Sequence, residues 1–339
     1  MIAENGVYCK YDHEAAKILN DFLPDRIFDA HAHLYDASFI PGMYAAGGCF
    51  SMRPRCEVSE YLEDMEPLLG GKREIRLNIV TTPDASMADP STGNRQAATE
   101  FLAGQLEKYP GNVGEIMVSP DDTPEEIEAQ LIHPAIRGFK CYHVLAPNKP
   151  TWNASIGEYL PEAAWQVADR RGLAITLHMV RDKALADPVN LNYITEMAKK
   201  YPNAVLILAH AARSFAAWTA LETVEKIAHL DNVWYDFAAV CESPAMFQIM
   251  RKVGVKRCMW GSDYPISRSA GKAISIADSF YWINDQDLSR FAGPTEFHFW
   301  QVGTENLMAT RQACLMLDLK EDAVEDLFYN NAMRLFRQS

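Results

Sequence analysis

Residues 26–34, RIFDAHAHL, begin as a short apolar strand and end in two histidines one residue apart. Side chains two apart on a strand share a face, so His31 and His33 point the same way, and the small Ala32 between them crowds nothing on the other side. Seven further runs are built alike: residues 75–82 (IRLNIVTT), 113–119 (VGEIMVS), 136–143 (IRGFKCYH), 173–179 (LAITLHM), 204–210 (AVLILAH), 233–239 (VWYDFAA) and 257–263 (RCMWGSD). Each reads as a strand buried on both faces, the pattern of a parallel sheet.

Between these runs lie amphipathic segments long enough for crossover helices, at residues 93–108, 160–171, 190–201, 215–230 and 244–253. Eight strand and helix repeats fit a closed (β/α)8 TIM barrel better than an open doubly wound sheet. The first strand is followed by LYDASF and not by a glycine-rich phosphate loop. A helix is expected at residues 12–22, within an N-terminal extension of residues 1–25. The barrel then occupies residues 26–339 and closes with C-terminal helices ending at NNAMRLF.

The whole composition narrows the function. Of 339 residues, 48 % are apolar, enough for a sizeable core, and 32 basic against 45 acidic residues leave a net charge of −13. With no compact basic run to offset that charge, nucleic acid and membrane surfaces are not expected as partners. The seven cysteines are odd in number and form no CxxC pair, which argues for a reducing, cytoplasmic setting and against a thiolate zinc site. The first residues lack an apolar signal-peptide core.

Polar residues gather where the strands end. His33, His143, His178 and His210 close their runs or come within two residues of doing so, and the active sites of barrel enzymes lie at the C-terminal strand ends. Two imidazoles from one strand supply half of a tetrahedral zinc set at about 2.0–2.1 Å. Asp263 ends the apolar eighth run, and a carboxylate there is costly to bury unless it is paired or bound to a cation. Four histidines and an aspartate meeting at one barrel mouth point to a metal centre.

The ordered set DAHAH, GFKCYH, LH, LAHAAR, WGSDYP and NNAMRLF resembles the amidohydrolase superfamily, in its amidohydrolase-related (amidohydrolase 2) branch, over residues 27–336. The resemblance implies His31, His33 and His178 as metal ligands, with Asp263 completing the set and accepting a proton from water. His210 would be a ligand to a second metal or a donor that polarises the substrate. Lys140 would be either a carboxylated lysine bridging two ions or a substrate-binding cation. The implied cofactor is one or two divalent ions, zinc first, with manganese or iron(II) compatible. The implied reaction is hydrolysis of an amide, ester or lactone; the alternative is non-oxidative decarboxylation of an aromatic or unsaturated acid. Because ligation needs neutral imidazole, activity is expected to fall below about pH 6.5.

Substrate choice is expected to lie in the loops. The long first loop, residues 35–58, carries Met43, Tyr44, Phe50, Arg53 and Arg55. With Arg181, Arg213 and Arg268 after later strands, these arginines suggest a small carboxylate-bearing substrate, and His143 is a further candidate contact. His298 could approach the pocket, whereas Tyr281, Trp282, Phe299 and Trp300 read as core or dimer contacts. A homo-oligomer is expected, as barrels of this kind often associate.

Overall fold

The computed structural model describes residues 5–284, 287 and 298–337. Eight parallel strands follow one another in chain order around the barrel: β1 (Arg26–Ala32), β2 (Glu74–Val80), β3 (Val113–Met117), β4 (Ile136–Tyr142), β5 (Ala174–His178), β6 (Val205–Leu208), β7 (Val233–Asp236) and β8 (Cys258–Met259). Helices Val58–Leu69, Asn94–Lys108, Pro124–Ala129, Glu162–Arg171, Pro188–Lys200, Trp218–Ile227 and Ser243–Val253 connect them, and Val302–Met316 follows β8. This is the expected (β/α)8 barrel.

The seam between β8 and β1 closes through the backbone just past the short β8. Ala30 N–H donates to Trp260 O at 3.0 Å, Asp263 N–H to His31 O at 2.8 Å and His33 N–H to Tyr264 O at 2.7 Å. Several strands end earlier than their apolar runs. β1 stops at Ala32, β4 at Tyr142, β6 at Leu208 and β8 at Met259, so His33, His143, His210 and Asp263 sit on the turns that leave the barrel. Those turns are freed from ladder geometry and can aim side chains inward.

The opposite end is sealed by the C-terminus. Phe28 and Ala30 of β1, Ala174, Ile207 and Met259 pack with Tyr329, Ala332, Met333, Leu335 and Phe336, and the Phe28 and Phe336 rings stack at 5.8 Å. The expected N-terminal helix is Lys10–Asn20; its buried Ala15 and Leu19 face the molecule, and Asp12 accepts from Gln301 N–H and Thr304 Oγ1 at the start of Val302–Met316. All seven cysteines are free thiols, six of them buried. Among the described residues no helix is long and apolar enough to cross a membrane.

Candidate metal centre and active-site cavity

The pair His31 and His33 stands on a local irregularity. Between Asp29 and Ala32 the pairing of β1 with β2 shifts, as one extra residue is accommodated. Asp29 satisfies the groups this frees: its carboxylate accepts from His31 N–H (3.1 Å), from Ser262 N–H (2.8 Å) and from Tyr61 OH (2.7 Å), tying β1 to the β8 turn. His31 Nδ1–H donates to Asp236 Oδ2 at 2.9 Å, and His33 Nδ1–H to Val80 O at 3.0 Å. Both rings therefore keep their Nε2 as a lone pair, and these two nitrogens face each other at 3.2 Å. Asp263 Oδ1 lies 3.4 Å from His33 Nε2 and 3.7 Å from His31 Nε2. Three acceptors converging in a buried place repel one another unless a proton or cation lies among them. Their donor types suit a divalent transition metal.

A second pair of nitrogens meets beside the first. His210 Nδ1–H donates to Ala238 O at 2.9 Å, leaving Nε2 to face His178 Nδ1 at 3.1 Å, while Asp263 Oδ2 lies 3.9 Å from His210 Nδ1. Lys140 is buried below, its Nζ 3.2 Å from His31 Nε2. The six residues expected to form the centre are thus gathered in one place.

Electrostatics favour the ligating forms. Burial, then the charge of Lys140, lower His31 to about 4, and burial likewise lowers His33 and His178. The His31 and His178 imidazoles therefore stay neutral well below the pH 6.5 expected for free histidine. For Asp263 burial opposes ionisation, but the surrounding His210, His33 and His31 outweigh it and hold the carboxyl below its usual range. Burial lowers the Lys140 ammonium, with Asp236, Asp263 and Glu115 opposing.

The β6 turn has an uncommon backbone. His210, Ala211, Ala212 and Arg213 all have φ between 53° and 60°, a left-handed helical turn without glycine. Each such residue costs about 1–2 kcal/mol relative to the right-handed form, and such strain is found where function requires it. Asp236 Oδ1 accepts from His210 N–H at 2.9 Å, which helps to hold the turn. The turn presents His210 to the metal centre and, three residues on, Arg213 to the cavity.

That cavity, about 410 Å³, opens above the centre and is lined by His178, His210 and Asp263 together with Tyr142, Trp152, Arg213, Phe215, Ile266, Ser269, Phe280 and Trp282. Its volume is in the range of small-molecule sites. Of the expected substrate-binding arginines only Arg213 reaches it. Its guanidinium lies over Trp152 (5.9 Å) and Phe280 (5.2 Å), donates to Arg181 O and pairs with no carboxylate among the described residues.

Other expected contacts lie elsewhere. Arg53 pairs with Asp64 at 2.8 Å and with Glu63, both on the helix Val58–Leu69, while Arg55 pairs with Glu57 and, across the small hairpin into which the first loop folds, with Asp36. Arg181 is paired with Asp187 at 2.9 Å. Arg268 bonds to the backbone of Asp64 and Gly6. His143 is buried behind Trp152, with Nδ1 on Thr151 Oγ1, and His298 stacks on Tyr11. Trp282, read from sequence as core or dimer contact, is instead a cavity wall; Phe299 is buried and Tyr281 exposed.

Two buried carboxylates escaped the sequence reading. Asp236 orients His31 and the His210 turn, and Glu115 accepts from Asn78 and Thr176, both at 2.9 Å, in the barrel interior. Both end or interrupt apolar runs as Asp263 does, so the same cost of burying a carboxylate marks them.

The amidohydrolase family (Amidohydro_2) matches residues 28–338. An L-fucono-1,5-lactonase of Burkholderia ambifaria is 24 % identical over 251 residues, covering 68 % of this chain and 79 % of that protein. Among solved structures, a 5-carboxyvanillate decarboxylase of Novosphingobium aromaticivorans complexed with manganese superposes with a TM-score of 0.58 at 15 % identity, covering 92 % of this chain and 96 % of the other. A zinc-bound amidohydrolase of Burkholderia multivorans gives 0.56 at 13 % identity, covering 92 % and 99 %. At these identities the structural likeness speaks for the fold alone.

Proposed function

Because the chain belongs to the amidohydrolase family of enzymes, we propose that it is a metal-dependent hydrolase cleaving an amide, ester or lactone bond in a small carboxylate-bearing molecule. The observation that carries this reading is the convergence of His31 Nε2, His33 Nε2 and Asp263 Oδ1, with both histidine Nδ1–H groups already committed elsewhere. These three residues would hold a divalent ion, and His178 with His210 offers a second pair of donors. When bound, such an ion lowers the pKa of water from about 15.7 to roughly 7.

The remaining work falls to side chains. Asp263, whose carboxyl is held below its usual range, takes the proton of the attacking water and hands it to the leaving group. His210 has given its Nδ1–H to a carbonyl, which suits Nε2 to ligation more than to hydrogen-bond donation. Arg213 meets the substrate carboxylate at the cavity wall. Zinc is the first choice of ion, and the likeness to a lactonase supports an ester-type bond.

The test combines metal analysis with turnover. Protein stripped by a chelator should lose activity on a panel of lactones and esters followed with a pH indicator, and zinc or manganese should restore it. Asp263→Asn should lower kcat by at least about a thousandfold while retaining part of the metal. Undiminished turnover after stripping, or in the variant, would overturn the proposal.

A second reading, decarboxylation on the same scaffold, turns on whether the Lys140 amine is free or carboxylated. That amine sits 3.2 Å from His31 Nε2 and makes no carboxylate ion pair within 4 Å among the described residues. As a free amine it would bridge no ions, and His31, His33 and Asp263 would hold a single one. Intact-protein mass spectrometry separates the two cases: addition of one carbon dioxide at Lys140 with two ions supports hydrolysis, and an unmodified lysine with one ion supports decarboxylation.

A further inference from the structure

Beyond β8 the chain builds a two-stranded antiparallel hairpin, Lys272–Ile276 paired with Ser279–Ile283, which is not part of the barrel sheet. Alternation along its second strand puts Phe280 and Trp282 on one face, toward the cavity, while Tyr281 on the other face is 48 % exposed. The hairpin is held from both sides. Lys272 pairs with Glu305 at 2.9 Å, Ser275 N–H and Oγ bond to Glu242, and Gly271 N–H donates to Trp300 O at 3.0 Å. Gly271 has φ +136°, and a Cβ there would lie 2.2 Å from Ile283 O, so only glycine lets the strands close at this end.

The aromatic residues it delivers are continuous with the metal centre. Phe280 and Trp282 pack on Phe215 at 5.0 and 5.3 Å between ring centroids, and Phe215 in turn stacks on His210 at 5.5 Å. The Arg213 guanidinium lies over both Trp152 and Phe280, so two rings contact it. Faces and edges of several aromatic rings around one cation form a surface that favours a flat π-system with an anionic substituent.

We propose that Phe280 and Trp282 are specificity-determining residues, and that they select a planar, unsaturated or aromatic ring over a saturated one. The proposal rests on the carboxylate-binding reading of Arg213, with the hairpin supplying the wall for the ring and Arg213 the contact for its acid group.

Benzoate and cyclohexanecarboxylate, which share the acid group and differ in the ring, are the probes. Calorimetric titration of the zinc-loaded protein should show benzoate binding about tenfold more tightly, the size of two favourable aromatic contacts. Phe280→Leu/Trp282→Leu should bring the two acids within about threefold of one another, with zinc content and the far-UV circular dichroism spectrum unchanged, and each single variant should lie between. Arg213→Met should weaken both acids equally and keep their ratio. A wild-type ratio near one, no binding of either acid, or a ratio that survives the double variant overturns the proposal. If only the Arg213→Met effect is missing, the carboxylate reading of Arg213 fails while the ring selectivity stands.

Discussion

Asp236 illustrates how one buried side chain governs others. Its two oxygens receive His31 Nδ1–H, His210 N–H and Ala238 N–H, so it sets the tautomer of one imidazole and the backbone of another. Asp236→Asn keeps the shape but replaces one acceptor oxygen with an NH2 group, a donor that cannot accept from His31 Nδ1–H or from the His210 and Ala238 N–H groups. Loss of such an orienting partner typically lowers metal affinity 10–100-fold. Zinc competition against a chromogenic chelator should show a loss of about that size in Asp236→Asn, and an affinity equal to wild type would refute the orienting role. The sequence already held the sign of this residue in VWYDFAA, a carboxylate in an apolar run. What it lacked was any indication that the carboxylate faced His31, 205 positions away.

At the scale of elements, the left-handed turn His210–Arg213 was illegible in LAHAAR, which contains no glycine to announce positive φ. Its existence leads to an expectation contrary to ordinary helix behaviour. In the helix Glu162–Arg171, Ala164 is fully buried, and Ala164→Gly should cost about 1–2 kcal/mol through lost propensity and a lost methyl. Ala212 is equally buried, but there glycine relieves a left-handed backbone penalty of about 1–2 kcal/mol, offsetting the methyl and the added unfolded-state entropy. Ala212→Gly should therefore be neutral to within about 0.5 kcal/mol by denaturant titration. Equal losses in the two variants would show that the turn carries no strain. Strand ends were legible only approximately for a related reason. Apolar runs continue past the ladder in β6 and β8, so hydrophobicity marks burial and not the last paired residue.

For the whole molecule, buried groups with displaced pKa values couple stability to pH. His31, lowered to about 4, stays unprotonated in the native state between pH 4 and 6.5, where the unfolded chain binds a proton. Stability of the metal-free protein therefore falls on acidification through that window. Glu115, raised to about 7 by burial, acts in the opposite sense: the native state retains a proton between pH 4.5 and 7 that the unfolded chain has released, so its contribution to stability is lost as pH rises. Glu115→Gln removes this opposing contribution. The denaturation midpoint of the chelator-treated variant should drop more steeply from pH 7 to 5 than that of the wild type, and parallel profiles would sink the assignment.

The sequence by itself determined the barrel and singled out side chains that the fold gathers at its mouth. Eight doubly buried strands can satisfy their backbones and bury their apolar faces by closing on themselves, and that closure brings their polar C-terminal ends to one mouth. Only the tertiary structure decided which charges remain available there. Arg53, Arg55 and Arg181 look alike in sequence to Arg213, yet each has an acidic partner supplied by its own surroundings, and Arg213 has aromatic rings instead. An ion pair depends on atoms within about 4 Å across the fold, and local sequence does not encode which distant side chains arrive at that distance.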